Sequence, residues 1–314
     1  MVSPVGLSVG GTVESTFRTP DSSSVVVGVD GSNAARTAAM WAAAEAACRD
    51  RPLHIVYGAD TDGRTLYLSA EIIERVRANG RELLDETAKA VTDQYPGLRV
   101  STEFSRADAV STLHRAGALH GTIVVGNRGV GGFDSLMLGS VGLDVAAAAM
   151  TPVVIVRGLD GAEETGTVLA AIRDEHDLLY ARYAACEAVL RKGSLRLLHV
   201  WNILQSVGLV VSMLDDVDEI AATHAEALRA VTDAVRDEFP DLEVRADAEK
   251  SISVAGVLVE ASRHADLLVM GGRRVPGALG MTRSLGRATH GVLHHAHCPV
   301  LLIPRMGSDF GSRP

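Results

Sequence analysis

The sequence predicts two tandem copies of an open, doubly wound α/β domain, each built on a parallel sheet. Three observations lead there. The chain repeats itself with a period of about 145 residues. Within each repeat, short apolar runs alternate with segments of helical period. The apolar runs are continuous rather than alternating, which marks strands covered by helices on both faces. Right-handed crossovers between such strands give the doubly wound topology.

The repeat rests on three landmarks. Tyr95-Pro96-Gly97-Leu98-Arg99-Val100 returns as Phe239-Pro240-Asp241-Leu242-Glu243-Val244, an offset of 144. Thr151-Pro152-Val153-Val154-Ile155-Val156 returns as Cys298-Pro299-Val300-Leu301-Leu302-Ile303, an offset of 147. Ala44-Glu45-Ala46 ahead of Leu53-His54-Ile55-Val56 returns as Cys186-Glu187-Ala188 ahead of Leu195-Arg196-Leu197-Leu198, an offset of 142. Such a period is too long for a solenoid and means two copies of one domain. The expected division is a flexible tail at 1–22, a domain at 23–157, a polar linker at 158–166, a second domain at 167–305 and a tail at 306–314.

In the first copy the strand candidates are 24–29, 53–57, 98–104, 122–126 and 153–157. A helix between them carries Ile73, Val76, Gly80, Leu83, Thr87 and Val91 on one face. The second copy repeats that face with Val217, Ile220, His224, Leu228, Val231 and Val235. His224 there reads as a packed core histidine. The closing strands at 153–156 and 300–303 have no later element to cover them, so the two copies are expected to pair through these edges.

Composition removes several functions. A net charge of −9 has the wrong sign for a protein that neutralises phosphate backbones, so no nucleic-acid partner is expected. No run of about 20 apolar residues offers a membrane span, and residues 1–22 lack the pattern of a signal peptide. Cys48, Cys186 and Cys298 are too scattered for a disulfide framework, which suits the cytoplasm.

Ligands of open α/β sheets bind beyond the carboxyl ends of the strands. The first strand ends in Val29-Asp30-Gly31-Ser32, where Asp30 can accept from a ribose or base, or cap the next helix together with Ser32. The fourth runs into a glycine-rich loop from Gly126 to Ser140. Glycines let backbone N–H groups approach phosphate oxygens, and Ser140 opens a helix whose free amides attract anions. The loop is neither a Walker P-loop nor a Rossmann turn, which follows the first strand rather than the fourth.

Gly126-x2-Gly129-x9-Gly139-Ser140 matches, residue for residue, the G-2x-G-9x-G-S/T motif of the universal stress protein family. The surroundings of Val27–Ser32, Leu53–Val56 and Thr151–Val156 resemble that family too, over roughly 22–158 and 166–305. The resemblance is to the tandem, actinobacterial type. It implies a five-stranded α/β domain in each half that often binds ATP with Mg2+, and domains that pair through the last strand. It puts Val29 and Asp30 by the adenosine, Val56 in the base pocket, and Gly126, Gly129, Gly139 and Ser140 around the phosphates. Arg128 inside the loop faces either phosphate or solvent.

The second copy departs from this pattern. Neither Asp30 nor Gly31 has a like counterpart near Ile172-Arg173-Asp174. Its loop begins Gly271-Gly272-Arg273-Arg274, with Arg in place of the second glycine. Aligned on Ser284, Arg283 replaces the third glycine and the loop is one residue shorter. Arg273, Arg274 and Arg283 are expected to be solvated, with another anion as the alternative. His294-His295-Ala296-His297-Cys298 is metal-like in composition, and on a helix His294 and His297 would share a face, but no second cluster completes a ligand set. No GxSxG elbow is present for Ser-His-Asp hydrolysis.

The expected protein is therefore an ATP-binding, nucleotide-responsive stress or growth regulator, homodimeric, with one working site and no fast catalysis. A slow ATPase or nucleotidyl-transferring enzyme on the same fold is one alternative, and an interaction module with an empty pocket is another.

Overall fold

The computed structural model describes residues 24–62, 69–129, 138–158, 164–202, 215–272, 275–276 and 283–304, without the side chains of 120, 215–218, 275–276 and 283–284. The first half runs β1 (Ser24–Gly28), α1 (Asn33–Cys48), β2 (Leu53–Gly58), α2 (Ala70–Gln94), β3 (Val100–Ser105), α3 (Ala109–His120), β4 (Gly121–Gly126), α4 (Ser140–Ala148) and β5 (Val153–Val156). The second runs β6 (Thr167–Ile172), α5 (Leu178–Leu190), β7 (Ser194–Trp201), α6 (Asp215–Glu238), β8 (Val244–Lys250), α7 (Val254–Ala261), β9 (Leu267–Gly272), the small antiparallel pair β10 (Val275–Pro276) and β11 (Arg283–Ser284), α8 (Arg287–His295) and β12 (Val300–Pro304).

The strands form a ten-stranded sheet in the order β3-β2-β1-β4-β5-β12-β9-β6-β7-β8. Within each half of this sheet all pairings are parallel. The halves meet where β5 and β12 pair antiparallel, with Val300 opposite Ile155 and Leu302 opposite Val153. Edge pairing of the closing strands thus occurs within one chain.

Alternate residues of each inner strand bury on opposite faces. Val25 and Val27 face α1 and α2, while Val26 faces α3 and α4. The alanines Ala38, Ala39, Ala42, Ala43 and Ala46 let α1 lie close to the sheet, and all are fully buried. On α2 Gly80, Leu84 and Val91 are the buried residues, so Leu84 carries the contact expected of Leu83, which is only partly buried. Leu228, Val231 and Val235 of α6 are buried as expected, and Val217 lies among the undescribed side chains. His224 is half-buried, with its Nδ1 2.8 Å from His199 Nε2 and its ring stacked on Trp201. Among the described residues no helix is long and apolar enough to cross a membrane.

A closed ring of charge joins the halves on the α1–α5 side. Arg49 bridges Glu45 at 2.5 Å and Glu187, and Arg191 bridges Glu45 at 2.6 Å and Glu187. The repeat explains the ring, because Glu45 and Arg49 return as Glu187 and Arg191 at the same offset of 142. Burial and the two carboxylates compete over Arg49, and the carboxylates win, holding its guanidinium above its ordinary range. Glu187→Ala leaves two half-buried guanidiniums short of a partner. It should cost about 3 kcal/mol, read as a lower urea midpoint at unchanged slope. An unchanged midpoint would show that the ring is solvated and contributes nothing.

Candidate nucleotide site

The carboxyl ends of β1 and β4, neighbours in the sheet, open onto a cleft of about 440 Å³. Every residue expected at the site lines it: Val29, Asp30, Val56, Gly126, Arg128, Gly129, Gly139 and Ser140. Val56 and Val29 are buried at 1% and 7% exposure and give it an apolar floor. Leu113 of α3 and Leu138 of the loop extend the apolar lining.

Two loops are tied together at its mouth. Asp30 Oδ1 accepts the Ser32 N–H at 2.9 Å, and Ser32 Oγ accepts the Ala35 N–H at 3.1 Å, capping α1. The same hydroxyl donates to the Arg128 carbonyl at 3.3 Å, which fastens the first loop to the glycine-rich one. Capping and site-building are therefore one arrangement, and Ser32 is an organising residue that the sequence offered only as a cap. The other Asp30 oxygen points at the second loop, where a Cβ on Gly129 would fall 2.7 Å from it. Tyr57 lies near enough that burial and the Asp30 charge both hold its phenol above the usual range.

The loop closes through the Gly139 N–H, which donates to the Asn127 carbonyl at 2.9 Å. Gly139 is the N-cap of α4 in extended conformation and supplies no side-chain cap. The first amides of α4 are thus left for another acceptor, with Ser140, Val141 and Gly142 all on the cleft wall. Gly126 admits no side chain, since a Cβ there would lie 2.6 Å from the Ala34 carbonyl oxygen. Arg128 keeps its Nε without a partner among the described residues. Residues 130–137 of the glycine-rich loop lie outside the described residues.

The second half corrects the alignment. Gly271 pairs with Ile303 as Gly126 pairs with Val156, so these two glycines correspond. The N-cap of α8 is Gly286, at φ −64° and ψ 154°, against −66° and 155° for Gly139. The third motif glycine is therefore kept, Arg287 rather than Ser284 stands in the place of Ser140, and the loop is two residues longer instead of one shorter. The offset of 147, already present in the closing strands, carries Gly139 to Gly286 and was the signal for this. Arg173 takes the place of Asp30 and pairs with Asp177 at 2.7 Å. The Tyr180 ring lies against Gly271, where a Cβ would meet it at 2.4 Å. Arg273, Arg274 and the side chain of Arg283 lie outside the described residues.

The histidine stretch also differs from expectation. Helix α8 ends at His295, so His297 does not share a helical face with His294. The ring beside His294 is His290, with centroids 4.3 Å apart.

Residues 22–157 and 164–304 each match the universal stress protein family. The chain belongs to this family. A universal stress protein of Mycolicibacterium smegmatis is 29% identical over 289 residues, 89% of this chain and 96% of the relative. One from Mycobacterium tuberculosis is 28% identical over 298 residues, 91% and 98% of the two chains. The crystal structure of a universal stress protein from Archaeoglobus fulgidus superposes with a TM-score of 0.67 at 20% identity, covering 91% of this chain and all of that one. That likeness speaks for the fold. The tandem universal stress architecture is thus common to this chain and its relatives, while Arg173 and Arg287 opposite Asp30 and Ser140 are read from its own residues.

Proposed function

We propose that the first domain binds an adenine nucleotide, ATP with Mg2+, in the cleft between β1 and β4, and that occupancy acts as a regulatory signal. One observation carries the reading. A carboxylate, a loop in which neither Gly126 nor Gly129 can take a side chain without collision, and an uncapped helix N-terminus converge on one apolar-floored cleft. These groups suit three parts of one ligand: Val29 and Val56 a base, Asp30 a ribose, and Gly126, Gly129, Gly139, Ser140 and Arg128 the phosphates. Mg2+ would enter with the phosphates, because it keeps waters and substrate oxygens as ligands and needs no all-protein cage.

Binding rather than fast turnover is favoured by the lining itself. Among the described residues around the cleft, Asp30 and Arg128 are the titratable ones. Asp30 is engaged with Ser32, and arginine does not act as a general base at neutral pH. Self-association of two chains belongs to the same proposal. It must use a surface other than β5 and β12, whose edges are already paired with each other.

Mass spectrometry of the purified protein should find co-eluting adenine nucleotide, and calorimetry should give one site per chain. Sedimentation of the same sample should give twice the chain mass. Two equivalent sites per chain, or none, would overturn the reading. Phosphate release comparable to a dedicated ATPase would move the protein to the enzymatic alternative.

A further inference from the structure

We propose that the second domain holds the first domain's phosphate loop in its binding position through His294, so that nucleotide affinity at the first site belongs to both domains jointly. The inference rests on the nucleotide reading above. His294 stands in the last turn of α8 and is 5% exposed. Its Nδ1 accepts the backbone N–H of Leu138 at 3.0 Å, across 156 residues of sequence. Leu138 lines the cleft and immediately precedes Gly139, the N-cap of α4. The bond therefore grips the loop at the point where it turns into the helix whose free amides face the ligand.

A second bond crosses the boundary in the same sense, again with the donor in the first domain. Arg157, in the segment after β5, donates to the carbonyl of Leu293, the residue before His294. A cation at the carboxyl end of a helix also complements the helix dipole. The two bonds form a clasp between the end of α8 and the first domain.

The clasp works in one direction only. The offset of 147 that relates Cys298 to Thr151 relates His294 to Ala147. An alanine side chain accepts nothing, so α4 cannot return the bond to the second domain's loop. Nor does packing alone explain His294. Its Nε2 is buried without a partner among the described residues, a cost that an apolar side chain would avoid. The second domain has Arg173 in place of Asp30, yet it keeps this contact to the first domain's loop.

The chemistry of the bond makes it pH-dependent. Nδ1 accepts only from the neutral ring with its proton on Nε2. The groups facing His294 are His290 and His295 on α8 and Arg157 from the segment after β5. Burial first, then these neighbours, hold the imidazole below its usual range. A depressed histidine is neutral at pH 7 and charges only as pH falls through its lowered value. Protonation at Nδ1 then removes the acceptor and frees the loop, so affinity should fall on the acid side and hold above it.

The test compares wild type, His294→Phe and His294→Asn by calorimetry with MgATP at pH about 7.5 and about 5.5. Phe keeps the ring volume and removes the acceptor, while Asn sets Oδ1 near where Nδ1 stood. At the higher pH, His294→Phe should bind about tenfold more weakly, the value of one buried hydrogen bond, and His294→Asn should stay close to wild type. At the lower pH, wild type should lose more affinity than His294→Asn. ATP titrates identically in both, so the difference isolates the ring. Equal affinities for wild type and Phe, or equal acid-side losses for wild type and Asn, would overturn the proposal. If His294→Phe does not fold, the second comparison decides. Hydrogen exchange at the Leu138 amide without nucleotide separates the two readings. If wild type and Asn protect it and Phe does not, the clasp exists, and a wild type that then binds no ATP refutes the nucleotide site and the affinity claim together.

Discussion

Gly129→Arg is expected to give a folded chain that no longer responds to ATP. The position is exposed, so the fold has little at stake. The site has much more. A Cβ there falls 2.7 Å from Asp30 Oδ2, and that carboxylate cannot swing away freely because its other oxygen holds the Ser32 N–H. The guanidinium would then pair with Asp30 across the cleft mouth, where ribose and phosphate are proposed to lie. The second half carries that substitution naturally, with Arg274 in the place of Gly129. For the unmutated protein, ATP at about 100 times its dissociation constant adds about 2.7 kcal/mol, or on the order of 5–10 °C in melting temperature. Gly129→Arg should abolish that shift. Gly272→Ala, where a Cβ meets nothing closer than 3.5 Å, should leave it intact. A Gly129→Arg protein that shifts like wild type would mean that the nucleotide lies elsewhere.

Val154→Pro should unfold the centre of the molecule. Val154 is 2% exposed and stands between Val124 on β4 and Leu301 on β12. Proline removes a ladder donor and is not accommodated in a strand paired on both sides. A loss of about 3 kcal/mol or more follows, together with separation of the halves, seen as expansion by light scattering. Unchanged size and melting temperature would mean that β5 and β12 do not join the domains. Two copies taken from the sequence alone suggest two melting phases, one per domain. The shared sheet, the ring at Glu45 and Glu187 and the clasp at His294 argue instead for a single cooperative transition.

The strands were legible because buried parallel strands are written as uninterrupted apolar runs. The runs expected at 53–57 and 122–126 lie in β2 and β4, Leu53–Gly58 and Gly121–Gly126. The first cleft was legible because its motif is local in sequence: loop, cap and helix start follow one another from Gly126 to Ser140. The second loop is not legible from residue type, which favours Arg283 and Ser284. Geometry follows the helix cap instead, and the cap is Gly286. The salt-bridge ring was half visible as Glu45 and Glu187 in matching frames, yet nothing in one strand of text says that the frames meet face to face. The bond from Leu138 to His294 was beyond reach, because it depends on how two separately legible domains dock.

The antiparallel joint between β5 and β12 relates the halves as a two-fold axis would relate two identical subunits. In a true homodimer every substitution appears twice, so a histidine at position 294 would bring a histidine to position 147, and an arginine at 173 would bring one to 30. Covalent fusion lifts that constraint. Each half of this chain is free to mutate without imposing the same change on its neighbour, and a one-sided contact such as the one made by His294 can arise. Two copies joined in one chain can therefore differ from each other where the subunits of a symmetric assembly cannot.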